Sequence, residues 1–146
     1  MANLRARLLP TLLFGSLLFA ADPWTAKDLI QPADLAKDIK SPLILQTGFP
    51  VLYRASHIPG SIFAGPGSKP EGIEELKKAV AGQPKDRRIV LYCGCCPWDK
   101  CPNMRPAFAA LKELGYTNVK AVVIPENLKT DWIDKGYPID RRVSAK

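Results

Sequence analysis

The four cysteines of this 146-residue chain lie within nine consecutive positions of the segment YCGCCPWDKCPNMRP, residues 92–106. They are Cys93, Cys95, Cys96 and Cys101. Cysteine thiolates act as nucleophiles, pair as disulfides and ligate soft metal ions such as Zn²⁺ and Cu⁺. This segment is therefore where the sequence predicts sulfur chemistry or metal binding.

The spacing Cys-x-Cys-Cys-x4-Cys leaves three kinds of site open. The four thiolates together could hold Zn²⁺ or Cu⁺, although zinc sites usually draw their ligands from two separated pairs. A disulfide between the neighbours Cys95 and Cys96 would be strained, whereas a Cys96–Cys101 or Cys93–Cys101 bridge has more reasonable geometry. The third possibility is a nucleophilic cysteine with a second cysteine as its resolving partner, in a thiol–disulfide or sulfur relay.

Alternating strand and helix patterns surround the cysteine segment. Three short apolar runs predict strands, at 43–45, 89–92 and 119–124. Helical spacing of apolar residues, or proline and glycine at the ends, predicts four helices, at 32–39, 71–81, 106–114 and 127–135. The alternation predicts a parallel sheet with helices on both faces, in which ligands bind beyond the carboxyl ends of the strands. The cysteine segment begins at one of those ends.

Several segments recur together in one known family. They are HIPGSI at 57–62, the strand end Tyr92–Cys93, the helix end LKELGYTNV at 111–119, and Trp132 followed by GYP at 136–138. In this combination the chain resembles the rhodanese (sulfurtransferase) domain family over about residues 28–140. The resemblance implies a rhodanese-like α/β domain, with a parallel sheet of about five strands and helices on both faces.

The resemblance also implies a reaction. Cys93 would attack the outer sulfur of a thiosulfate-like anion, and the resulting persulfide would pass its sulfur to a thiol acceptor, without a cofactor. Arg105 would bind the anion. Cys101, with three residues between it and Arg105, is the alternative nucleophile or a resolving cysteine. In the family's pattern His57 is a structural residue that hydrogen-bonds near a loop.

Three departures from the family pattern favour an alternative to the sulfur-transfer reaction. Gln46 and Gly48 stand where the family usually has Asp and Arg, Ile-Pro-Glu at 124–126 replaces a Gly-Gly, and eleven residues separate Cys93 from Arg105 instead of four. The alternative is a non-enzymatic or redox rhodanese-like module. Its four-cysteine loop would bind Zn or Cu or exchange disulfides with a partner.

The first twenty residues have the order of a secretory signal peptide. Arg5 and Arg7 precede an apolar run at 8–20, and small residues follow at Ala20 and Ala21. The thirteen-residue run is shorter than the roughly 20 residues that span a bilayer, so we expect no membrane insertion after cleavage. The sequence predicts an exported protein, periplasmic or secreted, whose domain occupies residues 28–140.

The charge of the chain does not indicate a nucleic-acid partner. Its formal net charge is +7, with 21 Lys and Arg against 14 Asp and Glu, and cleavage of the predicted signal peptide would reduce it to +5. These basic residues are spread along the chain and form no stripe with aromatic residues. No segment is dedicated to self-association, so the sequence leaves the oligomeric state open.

Overall fold

The computed structural model describes residues 21–141, so the predicted signal peptide at 1–20 lies outside the described residues. The strands are β1 (Leu29–Ile30), β2 (Leu43–Gln46), β3 (Ser56–His57), β4 (Ile62–Phe63), β5 (Ile89–Tyr92), β6 (Val119–Val122) and β7 (Asp140–Arg141). The α-helices are α1 (Pro32–Lys37), α2 (Pro50–Ala55), α3 (Pro70–Val80) and α4 (Met104–Glu113). Short 3₁₀ turns occupy Ala26–Asp28 and Trp98–Lys100, and a π-helical turn occupies Lys129–Ile133.

Five strands form one parallel sheet in the order β1-β6-β5-β2-β4. The central strand β5 is buried along its whole length, with Leu91 opposite Leu45 of β2 and Ala121 of β6. Strands β3 and β7 make a separate antiparallel pair. The carboxyl end of β5 therefore has a neighbouring strand on either side, and the chain continues from it into the cysteine segment.

Side chains of β5 alternate between two apolar layers, as expected for a strand covered on both faces. Ile89 and Leu91 face a layer that includes Leu76 of α3 and Phe108 and Leu111 of α4. On the other face, Val90 and Tyr92 pack with a second group, which comprises Leu35 of α1, Ile44, Val122 and Trp132. Helical elements thus cover both faces of the sheet, which confirms the predicted architecture.

The predicted strands and helices are all present, with small differences at their ends. The last helix is the short π-helical turn, and α4 begins two residues earlier than predicted, at Met104. Helix α2 and the two-residue strands were not predicted. Between residues 21 and 141, no helix combines the length and apolar character needed to cross a membrane.

Candidate functional site

The end of β5 is held in place by polar contacts to the neighbouring loop. The hydroxyl of Tyr92 accepts the backbone N–H of Ile58 at 3.1 Å and lies 3.1 Å from the hydroxyl of Ser61. Burial raises the pKa of Tyr92 well above its usual value, so the phenol stays protonated. The residue that follows, Cys93, therefore begins its loop from a fixed backbone position.

Gln46 and Gly48, the two departures next to strand β2, both contact Cys93. The Gln46 Nε2 donates to the backbone oxygen of Cys93 at 3.2 Å, and its Oε1 accepts the N–H of Gly48 at 3.2 Å. A Cβ at position 48 would lie 3.1 Å from the Cys93 Sγ and 2.7 Å from the Gln46 Nε2. A side chain at position 48 would therefore displace the Gln46 amide or press on the Cys93 sulfur.

The cysteine loop is anchored at two further points. Gly94 adopts φ +71°, in the left-handed region that favours glycine, and its carbonyl accepts the N–H of Leu128 at 3.0 Å. The backbone N–H of Trp98 donates to the carbonyl of Pro125 at 3.1 Å. The Trp98 ring packs on Trp24, with 5.0 Å between ring centroids. The loop is therefore attached to the segment after β6, not free in solvent.

All four cysteine sulfurs form one cluster, with every Sγ within 4.8 Å of every other. The Sγ atoms of Cys93 and Cys95 lie 2.8 Å apart, and those of Cys95 and Cys96 lie 3.3 Å apart. Cys93 and Cys101 are buried, Cys95 and Cys96 are half-buried, and all four are free thiols. The structure therefore brings together all four cysteines that the sequence singled out.

A buried asparagine, which the sequence analysis did not identify, holds the cluster on one side. Asn103 is fully buried, and its Nδ2 donates to the Sγ of Cys93 at 3.4 Å and to that of Cys95 at 3.6 Å. Its Oδ1 accepts the backbone N–H of Ser68 at 3.0 Å. Asn103 precedes α4, where asparagine usually caps a helix, but its side chain caps nothing here. The residue type and its place in the sequence therefore give no indication of a contact with sulfur.

The pKa values of the four thiols are shifted in different directions. Hydrogen bonding with Cys93 and Cys95, and then with the backbone N–H groups of Asn103 and Met104, lowers the pKa of Cys101. Interaction with Cys101 correspondingly raises the pKa of Cys93 and of Cys95, and burial of Cys93 adds to this effect. The pKa of Cys96 is raised chiefly by burial. Cys101, close to the beginning of α4, is therefore the cysteine of the cluster whose ionised form is favoured by its surroundings.

An open cavity of about 360 Å³ reaches the cluster from solvent. Cys93 and Cys95 line its inner wall, together with the amide of Gln46. Leu128 and Lys129 are on the wall formed by the segment after β6. The cavity is therefore lined by two of the four cysteines, by several apolar side chains and by one lysine.

Arg105 lies on the first turn of α4 but not on the wall of this cavity. Its Nε donates to a carboxylate oxygen of Asp22 at 2.7 Å, and its guanidinium lies 5.5 Å from the ring centre of Trp24. The anion-binding role suggested by the sequence stays a prediction. Among the described residues, Lys129 is the basic residue that lines the cavity, although its Nζ is 2.8 Å from the carboxylate of Asp134.

His57 and Trp132 make contacts within the fold and do not line the cavity. His57 Nδ1 donates to the backbone oxygen of Tyr53 at 2.8 Å, and the two rings stack with 4.1 Å between centroids. Trp132 is fully buried, and its Nε1 donates to the carbonyl of Pro138 at 2.7 Å. Both placements agree with the structural roles expected for these residues.

Comparison with known proteins identifies the family. The model of the rhodanese-like domain matches residues 28–123, which is well over half of the chain. The chain therefore belongs to the rhodanese-like domain family. A search of curated proteins found no significant match.

Solved structures agree with this fold. The rhodanese-like domain of an Anabaena protein has 18% identity and a TM-score of 0.58, with 82% of this chain and 86% of that chain covered. A Bacillus halodurans protein, BH2092, has 22% identity and a TM-score of 0.59, covering 77% of this chain and 75% of its own. A rhodanese-related protein from Thermoplasma volcanium has 26% identity and a TM-score of 0.52, covering 76% and 95%.

Proposed function

We propose that the protein is an exported sulfurtransferase that moves sulfane sulfur from a thiosulfate-like donor to a thiol acceptor through a persulfide on Cys93. One observation carries this proposal. In a chain of the rhodanese-like family, Cys93 lines an open cavity at the carboxyl end of the central strand β5. Ligands of open parallel sheets bind at this edge.

The first step forms the persulfide. The Cys93 sulfur attacks the outer sulfur of the donor, the S–S bond of the donor breaks, and sulfite leaves with the bonding electron pair. The proton of the Cys93 thiol passes to the sulfur of Cys101, which lies within 4.8 Å and has a lowered pKa. Cys93 then carries a persulfide anion, and Cys101 is a neutral thiol.

The second step returns the cysteines to their first state. The thiolate of the acceptor attacks the outer sulfur of the persulfide and leaves as a new persulfide. The sulfur of Cys93 regains its proton from Cys101. A cavity of about 360 Å³ has room for an organic thiol as well as for a small anion. Both substrates can therefore approach Cys93 by the same route.

Export is part of the proposal and is supported by the signal-type sequence of residues 1–20. We expect the secreted form to begin at Ala21 or Asp22, which N-terminal sequencing of protein recovered outside the cytoplasm would determine. A protein that keeps Met1 and stays with the cytoplasmic fraction would contradict this part.

Intact-mass spectrometry of the reduced, chelator-treated protein tests the reaction. Incubation with thiosulfate should add one sulfur atom, and this addition should be absent in Cys93→Ser. Asp99→Asn is the matched control, because Asp99 is exposed in the same loop. If sulfur is still added to Cys93→Ser but not to Cys101→Ser, the nucleophile is Cys101 and not Cys93. No sulfur addition to the wild-type protein would overturn the proposed activity.

A further inference from the structure

The geometry of the sulfur cluster points to a second property: we propose that the four cysteines form a mononuclear site for a thiophilic d¹⁰ ion, Zn²⁺ or Cu⁺. The ligands would be Cys93, Cys95, Cys96 and Cys101. This inference is independent of the proposed sulfur transfer, because it needs no sulfur donor and is measured in its absence.

The sulfur positions suit a single tetrahedral ion. A Zn–S bond of about 2.3 Å puts the four sulfurs of a tetrahedral site about 3.8 Å apart. Here the Sγ–Sγ distances begin at 2.8 and 3.3 Å, and none exceeds 4.8 Å. Shifts of about an ångström would therefore equalise them around one ion. A void of only about 10 Å³ adjoins Cys93, Cys96 and Cys101, which is too small for a cofactor of many atoms.

The surroundings of the sulfurs supply the donors that a thiolate site needs. The Asn103 amide donates to the sulfurs of Cys93 and Cys95, at 3.4 and 3.6 Å. Hydrogen bonds of this kind orient metal ligands and stabilise their negative charge. Since Asn103 is fully buried and bonded to Ser68, these donors are positioned before any ion arrives.

The donor set selects the class of ion. Four sulfurs without a carboxylate or histidine favour Zn²⁺ or Cu⁺ and disfavour Mg²⁺, Ca²⁺ and Mn²⁺, which prefer oxygen ligands. Cys95 and Cys96 are half-buried and offer a route for entry. An ion bound here would engage the Cys93 sulfur and so exclude sulfur donors from it.

Metal titration of the reduced, metal-free full-length chain tests the site, with Zn²⁺ and Cu⁺ added separately in competition with a chromogenic chelator. We expect one ion per chain. Cobalt substitution should give the intense charge-transfer and visible bands of tetrahedral thiolate coordination. Loss of a residue that hydrogen-bonds to a metal ligand typically weakens metal binding by roughly 10- to 100-fold. Cys95→Ser and Cys96→Ser each remove a half-buried ligand itself, so each should weaken binding by more than that. Asp99→Asn should bind as the wild type does.

Circular dichroism of each variant identifies changes that come from misfolding. Folded Cys95→Ser and Cys96→Ser proteins that bind the ion as tightly as the wild type would overturn the four-sulfur site. Failure of the wild type to bind either ion at micromolar concentration would overturn it as well. Sulfur addition from thiosulfate is measured on the chelator-treated protein, so the two proposals succeed or fail separately.

Discussion

The side-chain amide of Asn103 lies 3.4 Å from the Sγ of Cys93 and so connects the beginning of α4 to the end of β5 through sulfur. Asn103→Ala removes this donor and the acceptor for Ser68, and we expect it to lower the free energy of unfolding by about 1–3 kcal/mol. Alkylation of the loop thiols should also slow, because the amide no longer stabilises the thiolate form. Urea unfolding and timed alkylation with mass detection measure the two effects.

Asn103→Asp separates the two roles of this side chain. The carboxylate keeps an acceptor for the Ser68 N–H, but it offers no donor to the sulfurs and adds a like charge beside Cys101. Alkylation should therefore slow in Asn103→Asp as in Asn103→Ala, whereas stability should fall further, because the new carboxylate is fully buried without a cation partner. Wild-type alkylation rates in Asn103→Asp would show that the amide has no influence on the thiols.

Gly94 is required for two reasons, which a pair of variants can separate. Gly94→Ala places a side chain at φ +71° and a Cβ 2.7 Å from that of Leu128. Gly82→Ala, the control, has a similar φ of +77° but meets nothing within 4 Å. We expect about 1–2 kcal/mol of destabilisation in the control, and about 1–3 kcal/mol more in Gly94→Ala, by urea unfolding. Equal losses would mean that the Leu128 contact relaxes freely.

Two basic residues are candidates for binding the anionic donor. Both are ion-paired, Lys129 with Asp134 and Arg105 with Asp22, but only Lys129 lines the cavity beside Cys93. We therefore expect Lys129→Ala to raise the KM for thiosulfate about two- to fivefold, as for a solvent-exposed charge, and Arg105→Ala to leave it unchanged. Steady-state kinetics with sulfite detection measures both. The reverse result would assign the anion to Arg105, as the family resemblance implies.

The stability of the fold should depend on pH through Asp38. Hydrogen bonds from Ser41, and then one from Arg88 with its charge, lower the pKa of this carboxyl. A pKa that is lowered in the folded state stabilises the protein at pH values above the pKa of the unfolded state, which is about 3.9. This stabilisation is lost as the pH falls through the pKa of the folded state. Wild type and Asp38→Asn should therefore differ in unfolding free energy at pH 7, and the difference should shrink as the pH falls through the folded-state pKa of Asp38.

The control for this titration is Asp86→Asn, at an exposed aspartate in the loop before β5. Urea unfolding at several pH values gives the comparison. A difference between wild type and Asp38→Asn that stays constant however far the pH is lowered would contradict the role of the ionised carboxylate.

Much of the sheet was predictable because its central strands are buried. The runs at Leu43–Gln46 and Ile89–Tyr92 are apolar on both faces, and this pattern is typical of parallel sheets. Helix α2 at Pro50–Ala55 was missed because it is short and its apolar residues are exposed, with Val51 61% accessible. Strand β4 has only two residues, so its pairing with β2 depends on tertiary contact and not on local pattern.

The site was predictable only in part. The four cysteines stand out by their spacing, and the structure brings their sulfurs together. The contact of Asn103 with sulfur was not predictable, because an asparagine before a helix usually serves as a cap. Leu128 and Lys129 reach the cavity through the folding of a segment some 30 residues further along the chain, and no local signal at these positions indicates this.

The four sulfurs come from one uninterrupted stretch between β5 and α4, and no cysteine of another element takes part. These sulfurs are also part of the core, because Cys93 and Cys101 are buried in the apolar layer that contains Phe108 and Leu111. A change in the length or composition of this stretch therefore alters the packing of α4 against the sheet as well as the sulfur cluster. Reactivity and packing are thus constrained together at these positions.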